Sequence, residues 1–228
     1  VLGAAVAASA ARREQLKLAA VCGVFGGMAP DLDILIRSAS DPLMGIEYHR
    51  HFTHSLAFIP FGGVLVAAFL WLVRFRREAI PFGTILLFTT LGLATHGLLD
   101  AATSYGTRLY WPFSDARVSW NIISIIDPIF TITLLVFLIL GLRRRSRRLV
   151  RTGLLLAMCY LSYGALTHAS VMAKMREVAA SRGHEPTRML LNPTIGNLVL
   201  WRSVYEADGL YYVDAAYAPP LTAVMVQE

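Results

Sequence analysis

Charge is what this sequence has least of. Asp, Glu, Lys and Arg make up 16% of its 228 residues, against 56% hydrophobic, and the mean hydropathy is +0.54. A soluble domain carries about 25% charged residues, so the composition excludes an ordinary soluble domain and indicates a membrane protein. Cysteine is scarcer still. Cys22 and Cys159 both fall in apolar runs, too few for a disulfide framework and silent about the redox compartment. Repeats and low-complexity tracts are missing. The Ala-rich residues 1–11 have no basic n-region, so they read as the end of a helix and not as a signal peptide. Acidic residues are outnumbered, 15 to 21, for a formal charge of +6. In a membrane chain such an excess belongs to cytoplasmic loops. The run Arg143-Arg144-Arg145-Ser146-Arg147-Arg148 lies between two apolar runs. It therefore reads as a positive-inside anchor, and no nucleic-acid partner is expected.

What is present is a set of long apolar runs. Residues 55–73, 80–99, 122–142 and 150–172 are each long enough to span a bilayer, which takes about 20 residues. Residues 16–29 are shorter and predict a partial span with Asp31 and Asp33 at its mouth. Threaded in order, Arg12, Arg13, Lys17, Arg74, Arg76, Arg77, the arginine run and Arg151 fall on one side. The opposite loops carry only Arg37, Arg50, Arg108 and Arg117. The first side is then cytoplasmic, and the His- and Asp-rich segments lie at the outer face. Beyond residue 172 the chain is more polar. Ala173 to Arg182 continues the last helix until Gly183 and Pro186 break it. Residues 198–205 and 210–213 flank Asp208-Gly209 and predict a β-hairpin.

The polar exceptions carry the chemistry. They are Pro30-Asp31-Leu32-Asp33, then His49-Arg50-His51-Phe52-Thr53-His54-Ser55, then His96 and Asp100 at i and i+4 on one helix face, then Asp127-Pro128. Imidazole and carboxylate are the common ligands of zinc and similar ions, and ionisable groups in apolar runs are costly unless functional. Each piece has a plainer account. Asp31 can belong to a loop, His96 can bond a backbone carbonyl, and Ser55 or Thr53 can cap a helix. Together they predict one shared site from Asp31, Asp33, His49, His54, His96 and Asp100. His51 would point away from the other two histidines. Asp127 can be a ligand, a carboxylate orienting a histidine, or a protonated structural group. Arg50 and Arg117 are candidate oxyanion or phosphate binders, with lipid-headgroup contact as the alternative. His168 reads as a packing histidine and His184 as solvated.

The order of these motifs, with Ser104 to Gly106 and Pro112 to Ser114 between them, resembles the YdjM-like family of bacterial and archaeal inner-membrane proteins classed as metal-dependent hydrolases. The resemblance covers most of the chain, including a tail with Trp201 before a hairpin. That family's pattern starts with Asp-x-x-Thr-His ahead of a Gly-Ala-Ala helix. Here the residues begin Val1-Leu2-Gly3-Ala4-Ala5, so that histidine has no counterpart among them. The family supplies no substrate.

The expected fold is an all-α polytopic bundle of five to six membrane helices, one partial, over residues 1–172. An extracytoplasmic tail over 173–228 carries a small hairpin. The expected function is metal-dependent hydrolysis at the outer face of a prokaryotic inner membrane. One or two divalent ions, Zn²⁺ by preference, are held by the six residues, with Asp31 or Asp127 as base. The partners are membrane lipid and a small or lipid-like substrate. Phosphoester lipids are favoured because the site opens at headgroup depth. The alternative is a metal-binding scaffold or transporter without turnover. The bare middles of residues 55–73 and 129–142 weigh against a transporter.

Overall fold

The computed structural model describes residues 1–220 and 222–227. It is mostly helical, with a small C-terminal antiparallel sheet. The helices are α1 (Leu2–Ala10), α2 (Leu16–Met28), α3 (Met44–Tyr48), α4 (Ile59–Leu70), α5 (Phe82–Ala102), α6 (Pro128–Arg143) and α7 (Arg147–Ser181). Among the described residues, four helical stretches are long and apolar enough to cross a membrane: Arg13–Leu35, Leu56–Glu78, Phe82–Ala102 and Arg147–Ser181. The first is α2 prolonged by a 3₁₀ segment, Ala29–Leu35. It is therefore longer than the apolar run alone suggested. Conversely α6 has only 16 residues, about 24 Å at 1.5 Å per residue. The expected span over 122–142 begins late because Pro128 sets the helix start, preceded by non-helical chain.

The chain divides into two compact units. The first comprises Val1–Ala101, Tyr105–Ser119 and Thr131–Ala157. Its centre is built on small residues. Ala4, Ala7, Ala8 and Ala19 are fully buried. A Cβ placed on Gly3 would lie 2.6 Å from the Gly23 carbonyl oxygen and 3.0 Å from the Gly92 Cα. Helices α1, α2 and α5 thus touch through their backbones, the packing that dispersion favours where no water is excluded between helices. Larger side chains point outward. Phe61, Leu65, Phe69 and Val73 are exposed along the stretch carrying α4, an apolar surface for lipid to cover.

The second unit comprises Ala102–Ser104, Trp120–Phe130 and Met158–Glu228. Its sheet has the order β1-β2-β3-β4, all antiparallel, with β1 Arg188–Pro193, β2 Leu200–Ala207, β3 Leu210–Tyr217 and β4 Met225–Gln227. The expected hairpin is β2–β3. Its turn residues Asp208 and Gly209 both have positive φ, 53° and 74°, as a two-residue turn matched to strand twist requires. The flanking strands were not anticipated, because Pro193 ends β1 and β4 is three residues long. A lone hairpin is marginal in water, and these edges complete it. Leu191, Trp201 and Ala216 pack with Val171 and Met175 of α7. At the end of α7 the Arg182 guanidinium donates to both oxygens of Asp214, at 2.9 and 3.0 Å, and to the Tyr205 hydroxyl at 3.1 Å. His184 is not simply solvated: it is half-buried, 2.9 Å from the Tyr205 hydroxyl and tilted against the Tyr212 ring, 4.2 Å between centroids.

Candidate metal centre

Three segments of the first unit converge on one point. The 3₁₀ segment after α2 brings Asp31 and Asp33. The loop after α3 passes through His49 and through Arg50 in the left-handed region (φ 57°), then forms a 3₁₀ turn, Phe52–His54. Ser55 ends that turn: its hydroxyl donates to the Phe52 carbonyl and accepts from the Phe58 N–H. The third segment is α5, where His96 and Asp100 share a face one turn apart. Gly97 lets the loop press on this helix, since a Cβ there would collide with the His54 carbonyl.

The contacts assign the Nδ1 hydrogen of each ring. The His96 Nδ1 lies 2.6 Å from the Gly27 carbonyl oxygen. A carbonyl only accepts, so Nδ1 carries a hydrogen, and in the neutral ring Nε2 is a lone pair. The His54 Nδ1 lies 3.0 Å from Thr53 Oγ1 and 3.3 Å from Asp33 Oδ2. Thr53 in turn donates to the same Asp33 oxygen at 3.2 Å. His54 Nδ1 is therefore also a donor, a tautomer assigned from its hydrogen-bond network. The two Nε2 atoms then face each other at 3.0 Å. Two lone pairs at that distance repel unless a proton or a cation lies between them. Two carboxylate oxygens add to the demand. Asp31 Oδ1 is 3.6 Å from His54 Nε2 and 3.3 Å from His96 Nε2. Asp100 Oδ2 is 3.3 and 3.4 Å from the same two nitrogens.

These spacings suit a metal ion. The edge of a tetrahedron is about 1.6 times its centre-to-corner distance, so donors about 2.0–2.1 Å from zinc lie about 3.3–3.4 Å apart. The five edges measured among the four donor atoms run from 3.0 to 3.6 Å. Asp31, His54 and His96 offer ligand atoms within 4.8 Å of one another, a group able to hold an ion, and Asp100 adjoins it. His54 is enclosed (side chain 0% exposed) and Asp31 is 57% exposed, so the group opens on the Asp31 side.

Asp33 and His49 form the layer behind. The Asp33 side chain is 0% exposed and receives the His49 ring at 3.0 Å and the Arg50 N–H at 2.9 Å, besides Thr53 and His54. A buried carboxylate behind a ligand histidine fixes the ring and raises its basicity. His49, expected in the shared site, lies edge-on to His54 with ring centroids 6.3 Å apart, and its Nδ1 rests on Asp33. The cause is the extended backbone at 49 and the left-handed one at 50, which a sequence-based helical path does not foresee. In the metal-free protein, burial opposes charge on His54, while hydrogen bonds to Asp100, Asp31 and Asp33 favour it. The balance pushes its pKa up to about 10.

The other residues singled out from sequence have different surroundings. Arg50 Nε lies 3.1 Å from Asp100 Oδ2, and its guanidinium sits over the Tyr105 ring at 4.9 Å. Arg117 bridges the carbonyls of Ile46, Glu47, His49 and Gly106 at 3.2–3.4 Å, tying the histidine loop together. His51 turns to Arg108, whose guanidinium donates to its Nε2 at 2.5 Å. Burial, then the Arg108 charge, push the His51 pKa down. Asp127 belongs to the second unit. It is buried, accepts from the Phe130 N–H at 3.0 Å as a cap of α6, and accepts from the Tyr160 hydroxyl at 2.9 Å. His168, also in that unit, packs edge-on against Trp201. Sequence reasoning missed Thr53 as a relay, the Gly27 carbonyl, and the clamp roles of Arg108 and Arg117. Gly97, one residue after a candidate ligand, was the readable signal for the close approach.

Fold and cluster together define a helical membrane protein with a histidine–carboxylate cluster in its first unit. Residues 1–171 match the sequence model of the YdjM inner membrane protein family, and the chain belongs to that family. It is 35% identical over 107 residues to the inner membrane protein YbcI of Escherichia coli (strain K12), covering 45% of this chain and 60% of that one. It is 32% identical over 113 residues to the uncharacterized protein YfhP of Bacillus subtilis (strain 168), covering 50% of this chain and 33% of that one. The match thus spans less than two thirds of either relative. No solved structure matches the chain.

Proposed function

We propose that this chain is a multi-pass inner-membrane protein that holds a divalent ion, Zn²⁺ by preference, at the extracytoplasmic ends of its helices and hydrolyses lipid-like phosphoesters there. The observation that carries the reading is the facing pair of His54 and His96 Nε2 atoms with carboxylate oxygens of Asp31 and Asp100 beside them. His54, His96 and Asp100 would hold the ion, with Asp33 and the Gly27 carbonyl orienting the two rings. A bound ion supplies Lewis acidity, polarising a phosphoester oxygen and making a water more acidic. Asp31, the exposed carboxylate of the group, takes the proton from an attacking water on the open side. It is preferred over Asp127, whose two oxygens already serve Phe130 and Tyr160. Arg50 keeps Asp100 in place and sets a positive charge near the anionic phosphoryl oxygens. The side assignment rests on the arginine asymmetry, and the substrate class on a site opening at headgroup depth.

One observation favours a scaffold without turnover. With Asp31 bound, four protein donors would fill a tetrahedron, the arrangement of structural zinc sites, whereas catalytic sites keep one position open. Asp31→Asn separates the two. Metal content and hydrolysis of a phosphoester-lipid panel are measured on purified wild type and variant. The hydrolytic reading expects Asp31→Asn to keep the ion and lose turnover. Wild-type protein that carries metal and hydrolyses nothing supports the scaffold, and wild-type protein that binds no metal ends both. For the side assignment, an impermeant thiol reagent should label Ala116→Cys and not Ser146→Cys. The reverse pattern would place the site on the cytoplasmic side.

A further inference from the structure

A second concentration of charge lies elsewhere in the first unit, where the α1–α2 connection meets the α6–α7 turn. Arg13 Nε donates to the Arg145 carbonyl at 3.0 Å, Arg147 to the Ala11 carbonyl at 3.3 Å, and Arg151 to the Ser9 carbonyl at 3.1 and 3.2 Å. These bonds hold the guanidinium groups in place and cancel none of their charge. Among the described residues, the arginines in ion pairs are Arg50, Arg74, Arg108 and Arg182. Those of the cluster are not among them. Clustered like charges repel, so an arrangement that fixes them without carboxylates suits an anion from outside the chain.

The space for one is there. A cavity of about 470 Å³ is lined by Arg13, Ser146, Arg147 and Arg148. Arg147 is the first residue of the 35-residue α7, whose unpaired first-turn N–H groups add to the positive field. Guanidinium forks and a hydroxyl match an anion with several oxygens, phosphate above all. Beyond the cavity, Val136 and Ile139 of α6 and Leu155 and Leu156 of α7 are exposed and apolar. A free phosphate has no use for that approach, whereas acyl chains would lie along it. We propose that this pocket binds the phosphate of an anionic phospholipid headgroup, with the lipid tails against α6 and α7.

A general positive-inside anchor depends on the number of arginines, and a built pocket depends on which ones. The full chain in detergent micelles is titrated with dioleoyl phosphatidylglycerol, dioleoyl phosphatidylcholine or inorganic phosphate, and bound lipid is counted by native mass spectrometry. Wild type should prefer phosphatidylglycerol by at least about tenfold. Arg13→Gln with Arg148→Gln should remove that preference, while the equal charge change Arg76→Gln with Arg77→Gln should keep it. Arg148→Gln alone should weaken it, and because the Arg148 side chain bonds no carbonyl among the described residues, this variant guards against misfolding. Equal loss in the pocket and control pairs would overturn the pocket. Pocket-dependent binding of inorganic phosphate without phosphatidylglycerol preference would overturn the lipid.

Discussion

Asp33→Asn tests whether the cluster is a metal centre supported from behind. Asp33 is enclosed; it meets His49, the Arg50 N–H, Thr53 and His54 Nδ1. Asparagine fits this pocket. Its carbonyl oxygen can take the Oδ2 position, facing the three donors from Arg50, Thr53 and His54. Its NH₂ then faces His49, which can switch tautomer to accept. Shape is kept and one negative charge is removed from behind the ligand ring. Loss of such a partner costs about 10–100-fold in metal affinity, or about 1.4–2.7 kcal/mol. His54→Ala, which removes the donor atom itself, should cost more. The assay is competition of the purified protein with a chromogenic zinc chelator, with circular dichroism to confirm folding. Folded Asp33→Asn binding zinc as tightly as wild type would refute the orienting role. Folded His54→Ala doing so would refute the site.

Three further outcomes follow from the geometry. His54 has its pKa raised from 6.5 to about 10 without metal, so its proton stabilises the metal-free fold fully below pH 6.5, and that contribution is lost as pH rises through about 10; zinc competes with the proton, so affinity should rise between roughly pH 6 and 9, and a flat profile in the chelator assay would contradict the arrangement. Gly97→Ala should push the His54 carbonyl off α5, lowering stability by about 1–3 kcal/mol and weakening zinc binding, read by thermal unfolding with and without zinc. Asp127→Ala should lose the α6 cap, about 0.5–2 kcal/mol, and leave zinc affinity within about twofold if its role is confined to Phe130 and Tyr160; a large affinity loss would connect it to the centre.

Composition and patterning suffice for the class of the molecule. Scarce charge and long apolar runs point to a membrane fold, because runs of about 20 apolar residues suit spanning helices, whose backbone bonds are all satisfied within the segment. The sequence also picked out the chemistry-bearing residues, since histidine and aspartate stand out in apolar surroundings. The i, i+4 spacing of His96 and Asp100 put them on one face without any tertiary information. The hairpin at Asp208-Gly209 was legible because its turn needs two positive φ angles, which those residues tolerate. Tertiary structure alone decided which donors meet. His54 reaches His96 because Gly97 admits its backbone against α5. His49 turns to Asp33 because Arg50 takes a left-handed conformation that its residue type does not announce. Asp127 sits among capping partners of the second unit, since Tyr160 is 33 residues away in sequence. Edge strands β1 and β4 likewise have little pattern of their own and are held by a neighbour's hydrogen bonds. Local pattern fixes periodicity and turn chemistry over a few residues. Convergence of atoms from residues 31, 54, 96 and 100 depends on long-range packing that no short window contains.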